Sequence, residues 1–196
     1  MIIIKALEDK ILAEGEILPG NILKVGSFLN QQIDVKMLAE MGKEIHRLFA
    51  DEGVTKILTI EASGIAIAVG AGFSMNVPVV FAKKNRSQNV SGEVLSTQVE
   101  SFTHKTVNTI VVSKEFVLPE DRILIVDDFL ANGRALEGLI ELVEQAGATF
   151  VGAAIAVEKG FQNGGDSLRK KGYRIESLAI VDNMTDDSIT FRPQNN

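Results

Sequence analysis

Cysteine is absent from the 196-residue chain, and histidine occurs only twice, at His46 and His104. The lack of cysteine excludes disulfide bonds, thiolate metal sites and a cysteine nucleophile. Two histidines so far apart in the sequence are a poor supply for a histidine metal cage or a Ser–His–Asp triad. Thiol chemistry is therefore excluded, and chemistry built on histidine clusters is disfavoured.

Long apolar runs and excess positive charge are also missing. No segment approaches the roughly 20 consecutive apolar residues of a membrane helix, and the start MIIIKALEDK lacks the apolar core of a signal peptide. We therefore predict a cytoplasmic protein without membrane contact. The formal net charge of −6 disfavours general binding to nucleic acid. An anionic substrate would need local backbone amides, a few lysines or arginines, or a metal ion.

Apolar runs of strand length alternate with segments of helical periodicity along the chain. Strands are predicted at 56–60, 78–82, 109–113, 122–126, 150–159 and 173–181, with a possible edge strand in 188–196. Helices are predicted at 5–13, 35–50 (with Asp34 as its cap), 65–73, 134–146 and within 164–172. This alternation predicts a single α/β domain with a mostly parallel sheet.

Two adjacent carboxylates, Asp127 and Asp128, directly follow the apolar run RILIV. Ligands of parallel α/β sheets bind at the carboxyl ends of the strands. Two like charges at such a position are costly unless a cationic or hydroxylic group binds there. The alternative interpretation is a solvated loop in which Asp128 only caps a helix, but the apolar Phe129 and Leu130 that follow fit it less well.

Small and polar residues follow the acidic pair at the start of a predicted helix. Backbone N–H groups at a helix start, together with the helix dipole, can cradle a phosphate. The pattern is weak alone, because many strand–helix turns use glycine and asparagine. Behind the acidic pair it describes a grip on a ribose 5-phosphate, formed by Ala131, Asn132, Gly133, Arg134 and Ala135.

The run from Ile123 to Ala135 resembles the ribose-diphosphate signature of type I phosphoribosyltransferases. The family usually has Thr-Gly where this chain has Asn132-Gly133, and a small residue in place of Arg134. Further similar stretches are 23–34, 56–66, 78–84 and 156–162. The resemblance implies the type I fold, with a hood formed by about 1–34 and the C-terminal segment, a flexible lid at about 83–108, and a homodimer.

The resemblance also implies an activity: transfer of the 5-phosphoribosyl group from phosphoribosyl diphosphate (PRPP) to a base, with release of diphosphate. Asp127 and Asp128 would be the catalytic pair that holds the ribose hydroxyls and stabilises an oxocarbenium-like transition state. Mg²⁺ would bind mainly through PRPP, with no direct protein cage. The diphosphate would face the loop of Glu61, Ala62, Ser63 and Gly64. That loop could equally be a plain β–α turn capped by Ser63.

The lid would begin with Lys83, Lys84 and Arg86, and it would close over PRPP and exclude water. The alternative is an ordinary exposed hairpin with solvated lysines. Loops of this length are uncommon without a function.

Base recognition is predicted at Leu23, Asn30, Lys159 and Phe161. Lys159 would donate to the 6-oxo group and N7 of a purine, which disfavours adenine. The Asn30 amide would donate to a 2-oxo group, which favours xanthine over guanine. Lys159 could instead be a surface lysine, Asn30 a helix cap and Phe161 a core residue. Guanine, hypoxanthine or another base, and a PRPP-sensing regulator of the same fold, are the alternative functions. An acidic chain with no basic helix-turn-helix module disfavours the regulator.

Overall fold

The computed structural model describes residues 2–84, 92–101 and 106–194. Its helices are α1 Ile2–Glu14, α2 Val35–Leu48, α3 Gly64–Met75, α4 Arg134–Gln145 and α5 Gly164–Lys170. Its strands are β1 Glu16–Leu18, β2 Ile22–Lys24, β3 Lys56–Ile60, β4 Val79–Lys84, β5 Val94–Ser101, β6 Thr106–Ser113, β7 Arg122–Leu130, β8 Thr149–Lys159, β9 Ile175–Met184 and β10 Ile189–Phe191.

Most of the strands form one sheet, in the order β10-β9-β8-β7-β3-β4-β6-β5. Neighbours from β9 to β4 run parallel, whereas β10, β6 and β5 are joined to their neighbours in antiparallel fashion. The carboxyl ends of the five parallel strands therefore lie along the same edge of the sheet. The predicted α/β fold with a mostly parallel sheet flanked by helices is confirmed.

The sheet separates two apolar layers, and the alternation of side chains along β7 assigns residues to each. Leu124 and Val126 belong to a cluster that also contains buried residues of α1, α2 and α3. Ile123 and Ile125 belong to a second cluster, with buried residues of α4 and of the β5–β6 hairpin. Burial on both faces explains why the central strands read as continuous apolar runs rather than alternating ones.

The local predictions agree closely with the structure where a residue type has a strong backbone preference. Asp34 caps α2, because its side chain accepts the N–H groups of Lys36 and Met37. Pro19-Gly20-Asn21 turns the chain between β1 and β2, and both Gly20 and Asn21 adopt positive φ angles of 87° and 61°. The predicted edge strand near the C-terminus is β10.

The region 83–108, predicted as a lid, is partly built into the sheet. β5 and β6 form an antiparallel hairpin, and β6 continues the sheet through Lys83↔Val111 and Lys84↔Ile110. The hairpin rests on α4, where Thr97 Oγ1 donates to Glu141 Oε2 at 2.5 Å. Residues 85–91 and 102–105, including Arg86, lie outside the described part of the chain, so a flexible lid there stays a prediction.

Within the residues that the structure describes, no helix combines the length and apolar character needed to cross a membrane.

Candidate active site

Three loops meet at the carboxyl edge of the parallel sheet. The first, Glu61–Gly64, connects β3 to α3, and the second, Ala131–Gly133, connects β7 to α4. The third follows Lys159, the last residue of β8, and leads into α5. Because β3, β7 and β8 are adjacent in the sheet, these loops are neighbours in space.

The acidic pair does not follow the end of its strand, and that expectation was wrong. β7 continues through both aspartates to Leu130, because β8 pairs with it at Asp127↔Ile155, Phe129↔Val157 and Leu130↔Glu158. Asp128 therefore does not cap α4, and the interpretation as a solvated loop is also wrong. The extended backbone holds the two neighbouring carboxylates on a rigid element.

Asp127 is buried, with 8% of its surface exposed, whereas Asp128 is half-buried. The Asp127 carboxylate accepts the backbone N–H of Asp128 at 2.9 Å. Burial raises the pKa of Asp127 well above its usual value, and the charge of Asp128 raises it further. A cation or a hydroxyl group bound beside the pair would relieve this electrostatic cost.

Asp128 is linked to the N-terminal segment by Asn30, which lies at the end of a short π-helix, Gly26–Asn30. Asn30 Nδ2 donates to Asp128 Oδ2 at 3.4 Å, across 98 residues of sequence. Asn30 does not cap α2, because that position is taken by Asp34. The structure thus brings the residue predicted to read the base next to a carboxylate predicted to hold the ribose.

The predicted phosphate loop, Ala131–Ala135, has the geometry of a turn that opens a helix. Gly133 adopts a φ angle of 86°, which favours glycine, and Asn132 Oδ1 accepts the N–H of Arg134 at 3.1 Å. The Arg134 side chain is exposed and pairs with Glu137 at 3.4 Å. In this structure Arg134 is therefore turned toward its own helix.

The predicted diphosphate loop lies against the acidic pair. A Cβ on Gly64 would overlap both the Thr59 hydroxyl and the Asp127 carboxylate, so only glycine allows this approach. The peptide bond between Glu61 and Ala62 is cis. Ser63 occupies the cap position of α3, but it makes no capping hydrogen bond with its side chain.

The two lysines at the end of β4 have different surroundings. Lys84 donates its backbone N–H to Glu61 Oε1 at 2.6 Å, and its charge acts on Asp127, where it opposes the rise in pKa. Lys83 instead lines a cavity beside Phe81 and Phe116. The structure therefore associates only Lys84 with the acidic pair.

Lys159 is half-buried at the carboxyl end of β8, and burial lowers its pKa. Its ammonium group donates to the carbonyl oxygen of Asn21 at 3.1 Å and lies 5.8 Å from the centre of the Phe129 ring. It is thus not a plain surface lysine. Leu23 is buried on β2, and Phe161 is partly buried against the larger apolar cluster.

Two features of the site escaped the sequence interpretation. Phe129 places an aromatic ring beside Lys159, whereas the sequence had indicated Phe161 as the aromatic residue of the base site. Gly164, at the start of α5, contacts the phosphate loop so closely that a Cβ would overlap the Ala131 carbonyl oxygen. The only signal for the second feature was the pair Gly164-Gly165 at a helix start.

The residues present fit a magnesium ion that would be held mainly by the phosphate groups of a bound substrate. In the described ranges, no group of three or more Asp, Glu, His or Cys side chains is placed to hold a metal. Asp127 and Asp128 supply hard oxygen ligands, which suit Mg²⁺. Mg²⁺ commonly binds through one or two carboxylates together with substrate phosphates, and this donor set matches that pattern.

These features, a parallel sheet with an acidic pair and a phosphate-type loop at its carboxyl edge, define a class of protein. A family model described as the phosphoribosyl transferase domain matches residues 24–187. The chain therefore belongs to the phosphoribosyltransferase family, which makes it a pentosyltransferase enzyme.

Within that family, relatives of similar length share about half of their residues with this chain. A xanthine phosphoribosyltransferase of Lachnoclostridium phytofermentans is 55% identical over 188 residues, which cover 95% of this chain and 97% of that protein. A protein of the same name from Limosilactobacillus reuteri is 48% identical, over 95% of this chain and 98% of that one.

Solved structures support the fold from a different branch of the family. An adenine phosphoribosyltransferase from Giardia lamblia, in complex with 9-deazaadenine, matches with a TM-score of 0.76 and 25% identity. The match covers 89% of this chain and 96% of that one. An adenine phosphoribosyltransferase from Rhodothermus marinus matches with a TM-score of 0.74 and 21% identity, over 92% and 99% of the two chains, and shows the fold alone.

Proposed function

We propose that this protein is a xanthine phosphoribosyltransferase that converts xanthine and PRPP to xanthosine 5′-monophosphate and diphosphate. One observation carries the proposal: Asn30, Asp128 and Lys159 converge on the carboxyl edge of the sheet beside the phosphate loop. The identity of about half the residues with relatives of that name supports the same conclusion. We place the reaction in purine salvage in the cytoplasm.

In the reaction, the bond between ribose C1′ and diphosphate breaks, a bond from C1′ to purine N9 forms, and the proton lost from the purine passes to the diphosphate or to solvent. Positive charge develops at C1′ in the transition state, and fixed carboxylates nearby stabilise it. Asp128, half-buried at the site, contacts the ribose hydroxyls, and Asp127 supports it from the buried side. Because both residues sit within a paired strand, the carboxylates need little reorganisation when charge develops.

The phosphates are held mostly by backbone groups. The N–H groups of Ala131 to Ala135, at the start of α4, take the 5′-phosphate. The Glu61–Gly64 loop faces the diphosphate, and Lys84 adds positive charge on that side. Asp127 and Asp128 would help PRPP to hold Mg²⁺, and the bound ion would supply neutralisation of charge on the leaving diphosphate.

Base choice follows from donors and acceptors at the other end of the site. Lys159 has only donors, so it suits the 6-oxo group and N7 of xanthine and finds no acceptor in the 6-amino group of adenine. Asn30 Nδ2 carries two N–H bonds, and one that Asp128 does not take can donate to a 2-oxo group. Leu23 and either Phe129 or Phe161 supply apolar surface for the purine ring.

Three features of the proposal come from the family resemblance. A hood from about 1–34 and the C-terminal segment covers the base, and the contacts of Asn21 with Lys159 and of Asn30 with Asp128 support it. A lid within 83–108 closes over PRPP, and the protein is a homodimer.

Consumption of PRPP with xanthine, guanine, hypoxanthine, adenine and orotate tests the proposal directly. We expect the highest kcat/KM with xanthine and the lowest among the purines with adenine. Lys159→Ala should raise the KM for xanthine about tenfold or more and the KM for PRPP far less. Lys114→Ala, which removes an exposed lysine paired with Glu93, is the matched control and should leave both values unchanged. Equal use of all the purines would contradict the proposal.

A further inference from the structure

A buried carboxylate lies immediately before Lys159 in β8. Glu158 has no exposed surface, so its carboxylate reaches neither solvent nor the open edge of the sheet where the substrates are predicted to bind. Its two oxygens accept both terminal nitrogens of Arg169, at 2.9 and 2.6 Å, and Ser177 Oγ donates to it at 2.5 Å. This bidentate geometry fixes the relative orientation of the two side chains more tightly than a single contact would.

Arg169 itself is held by further contacts on α5 and β9. Its Nε donates to the carbonyl oxygen of Ile175 at 3.1 Å, and its Nη1 lies 3.3 Å from Asp166. Asp166 also receives Arg192 at 2.9 Å, which ties the C-terminal segment to the same group. The short helix α5 is therefore attached to β8 and β9 by charged hydrogen bonds rather than by a large apolar face.

Two adjacent glycines place α5 between this network and the phosphate loop. A Cβ on Gly165 would overlap the Glu158 carboxylate. A Cβ on Gly164 would overlap the backbone from Ala131 to Gly133, and the Gly164 N–H donates to the Ala131 carbonyl oxygen at 3.2 Å. One turn of α5 thus contacts the phosphate loop on one side and the buried carboxylate on the other, with no space between them.

A buried ion pair is a weak means of stabilising a fold, because desolvation of the two charges offsets most of their attraction. Apolar residues of similar volume would serve stability as well. An ion pair with a fixed fork geometry does provide orientation, however. This pair lies between the predicted phosphate and base subsites. A fixed fork geometry at that position would orient the two subsites relative to each other.

We propose that Glu158 and Arg169 are positioning residues that hold the phosphate loop and Lys159 at a fixed separation. Glu158 acts on Lys159 through the chain and on Ala131–Gly133 through Gly164-Gly165. The proposal rests on the proposed function, since it assumes that these two elements bind PRPP and the purine. A small displacement of either element is costly because both substrates must be aligned for transfer.

Arg169→Lys is the principal test, because it keeps the positive charge and removes the bidentate fork. We expect the KM for PRPP and the KM for xanthine both to rise about tenfold, measured well below the melting temperature. Arg174→Lys is the matched control: Arg174 also binds carboxylates, Glu52 and Glu176, but it precedes the amino end of β9. It should lower the melting temperature and leave both KM values unchanged.

Ser177→Ala and Gly164→Ala cover the case in which Arg169→Lys fails to fold. Ser177→Ala removes one hydrogen bond from Glu158 and should raise both KM values about twofold to threefold. Gly164→Ala pushes against the phosphate loop alone, so it should raise the KM for PRPP more than the KM for xanthine.

The outcomes separate this proposal from the proposed function. Wild-type protein that transfers phosphoribose to xanthine, together with Arg169→Lys and Ser177→Ala variants that lose only thermal stability, would overturn the positioning role. Wild-type protein that binds no PRPP in calorimetry and uses no purine would overturn the proposed function itself. A rise in both KM values in Arg169→Lys, absent in Arg174→Lys, supports the positioning role.

Discussion

Two buried aspartates lie near opposite ends of β7, and the chain treats them in opposite ways. Asp121, just before the strand, accepts hydrogen bonds from Lys56 Nζ at 2.6 Å, Thr55 Oγ1 at 3.1 Å and the Leu118 N–H at 2.8 Å. Burial opposes its ionisation, but these donors outweigh burial and lower its pKa. Asp127, at the other end, has a raised pKa because burial and Asp128 dominate.

The difference separates a carboxylate that is satisfied within the protein from one that we propose to be functional. Asp121 has its charge satisfied within the protein, so it anchors the amino ends of β3 and β7. Asp127 has a like charge beside it and an electrostatic cost that a bound cation or hydroxyl group can relieve. Ligand-binding sites concentrate such costs because binding then removes them. The following predictions test this contrast, starting with the largest expected effect.

Asp128→Asn should lower kcat about a thousandfold, because it removes a fixed negative charge where positive charge develops at C1′. Asparagine retains the shape and can still accept the Asn30 N–H, so the melting temperature should change by little. Steady-state kinetics with xanthine and PRPP, together with a thermal unfolding scan, check both parts. Full activity in this variant would remove Asp128 from the catalytic role.

Asp121→Asn should show the reverse pattern. It leaves the partly buried Lys56 without its carboxylate, and we expect the free energy of unfolding to fall by about 2–3 kcal/mol, the loss of a hydrogen bond to a charged group. The kcat should change by less than about twofold, because Asp121 lies at the far end of the strand from the acidic pair. Urea unfolding and kinetics on the same preparation measure the two effects. A large loss of activity at unchanged stability would show that Asp121 has a functional and not a structural role.

The dependence of stability on pH should have opposite sign for the two aspartates. Asp127 has a raised folded-state pKa, so its contribution to stability is present at low pH and is lost as the pH rises from about 4 toward that pKa. The free energy of unfolding of Asp127→Asn should therefore rise relative to that of wild type as the pH rises. The increase is about 1.4 kcal/mol for each unit by which the folded-state pKa of Asp127 exceeds its unfolded-state pKa. The contribution of Asp121 is present above about pH 4 and is lost as the pH falls through its lowered pKa.

Urea unfolding of the wild type and of Asp127→Asn, at pH values between about 4 and 9, measures this difference directly. Titratable groups that do not interact with Asp127 cancel in the comparison. A stability difference that stays constant over the whole range would show that Asp127 is ionised in the folded protein with an ordinary pKa.

Arg134→Ala should have the smallest effect. In the structure Arg134 is exposed and pairs with Glu137 on its own helix, an arrangement worth only a few tenths of a kcal/mol. Because exposed pairs contribute so little, the KM for PRPP should rise by less than about threefold. Measurement of that KM at low and moderate salt checks the prediction. A rise of tenfold or more would indicate that Arg134 turns toward the phosphate when PRPP binds.

Local chemistry made much of the fold predictable. The run KILTI gives β3 at 56–60, Asp34 caps α2 at 35, and α4 begins at Arg134, because each depends on near neighbours in sequence. The length of β7 was underestimated for the opposite reason. Its last four residues are extended by pairing with β8, and nothing within DDFL specifies a strand.

The candidate site divides in the same way. The acidic pair and the small-residue loop lie within nine consecutive positions, so the sequence alone indicated a sugar-phosphate donor, with the acidic pair and a helix start as the physical basis. The Asn30–Asp128 contact spans 98 residues, and the Phe129 ring beside Lys159 depends on the pairing of β7 with β8. No local pattern encodes such contacts.

By itself, then, the sequence determined the class of fold, the positions of most helices and strands, and the residues that supply charge. Those properties follow from hydrophobic periodicity and from backbone preferences over a few residues. Only the tertiary structure decided that Asp127 is buried with a raised pKa, that Lys84 rather than Lys83 acts on it, and that Glu158 is paired with Arg169. Burial and electrostatic interaction depend on distances through space, which the packing of the sheet and its helices sets.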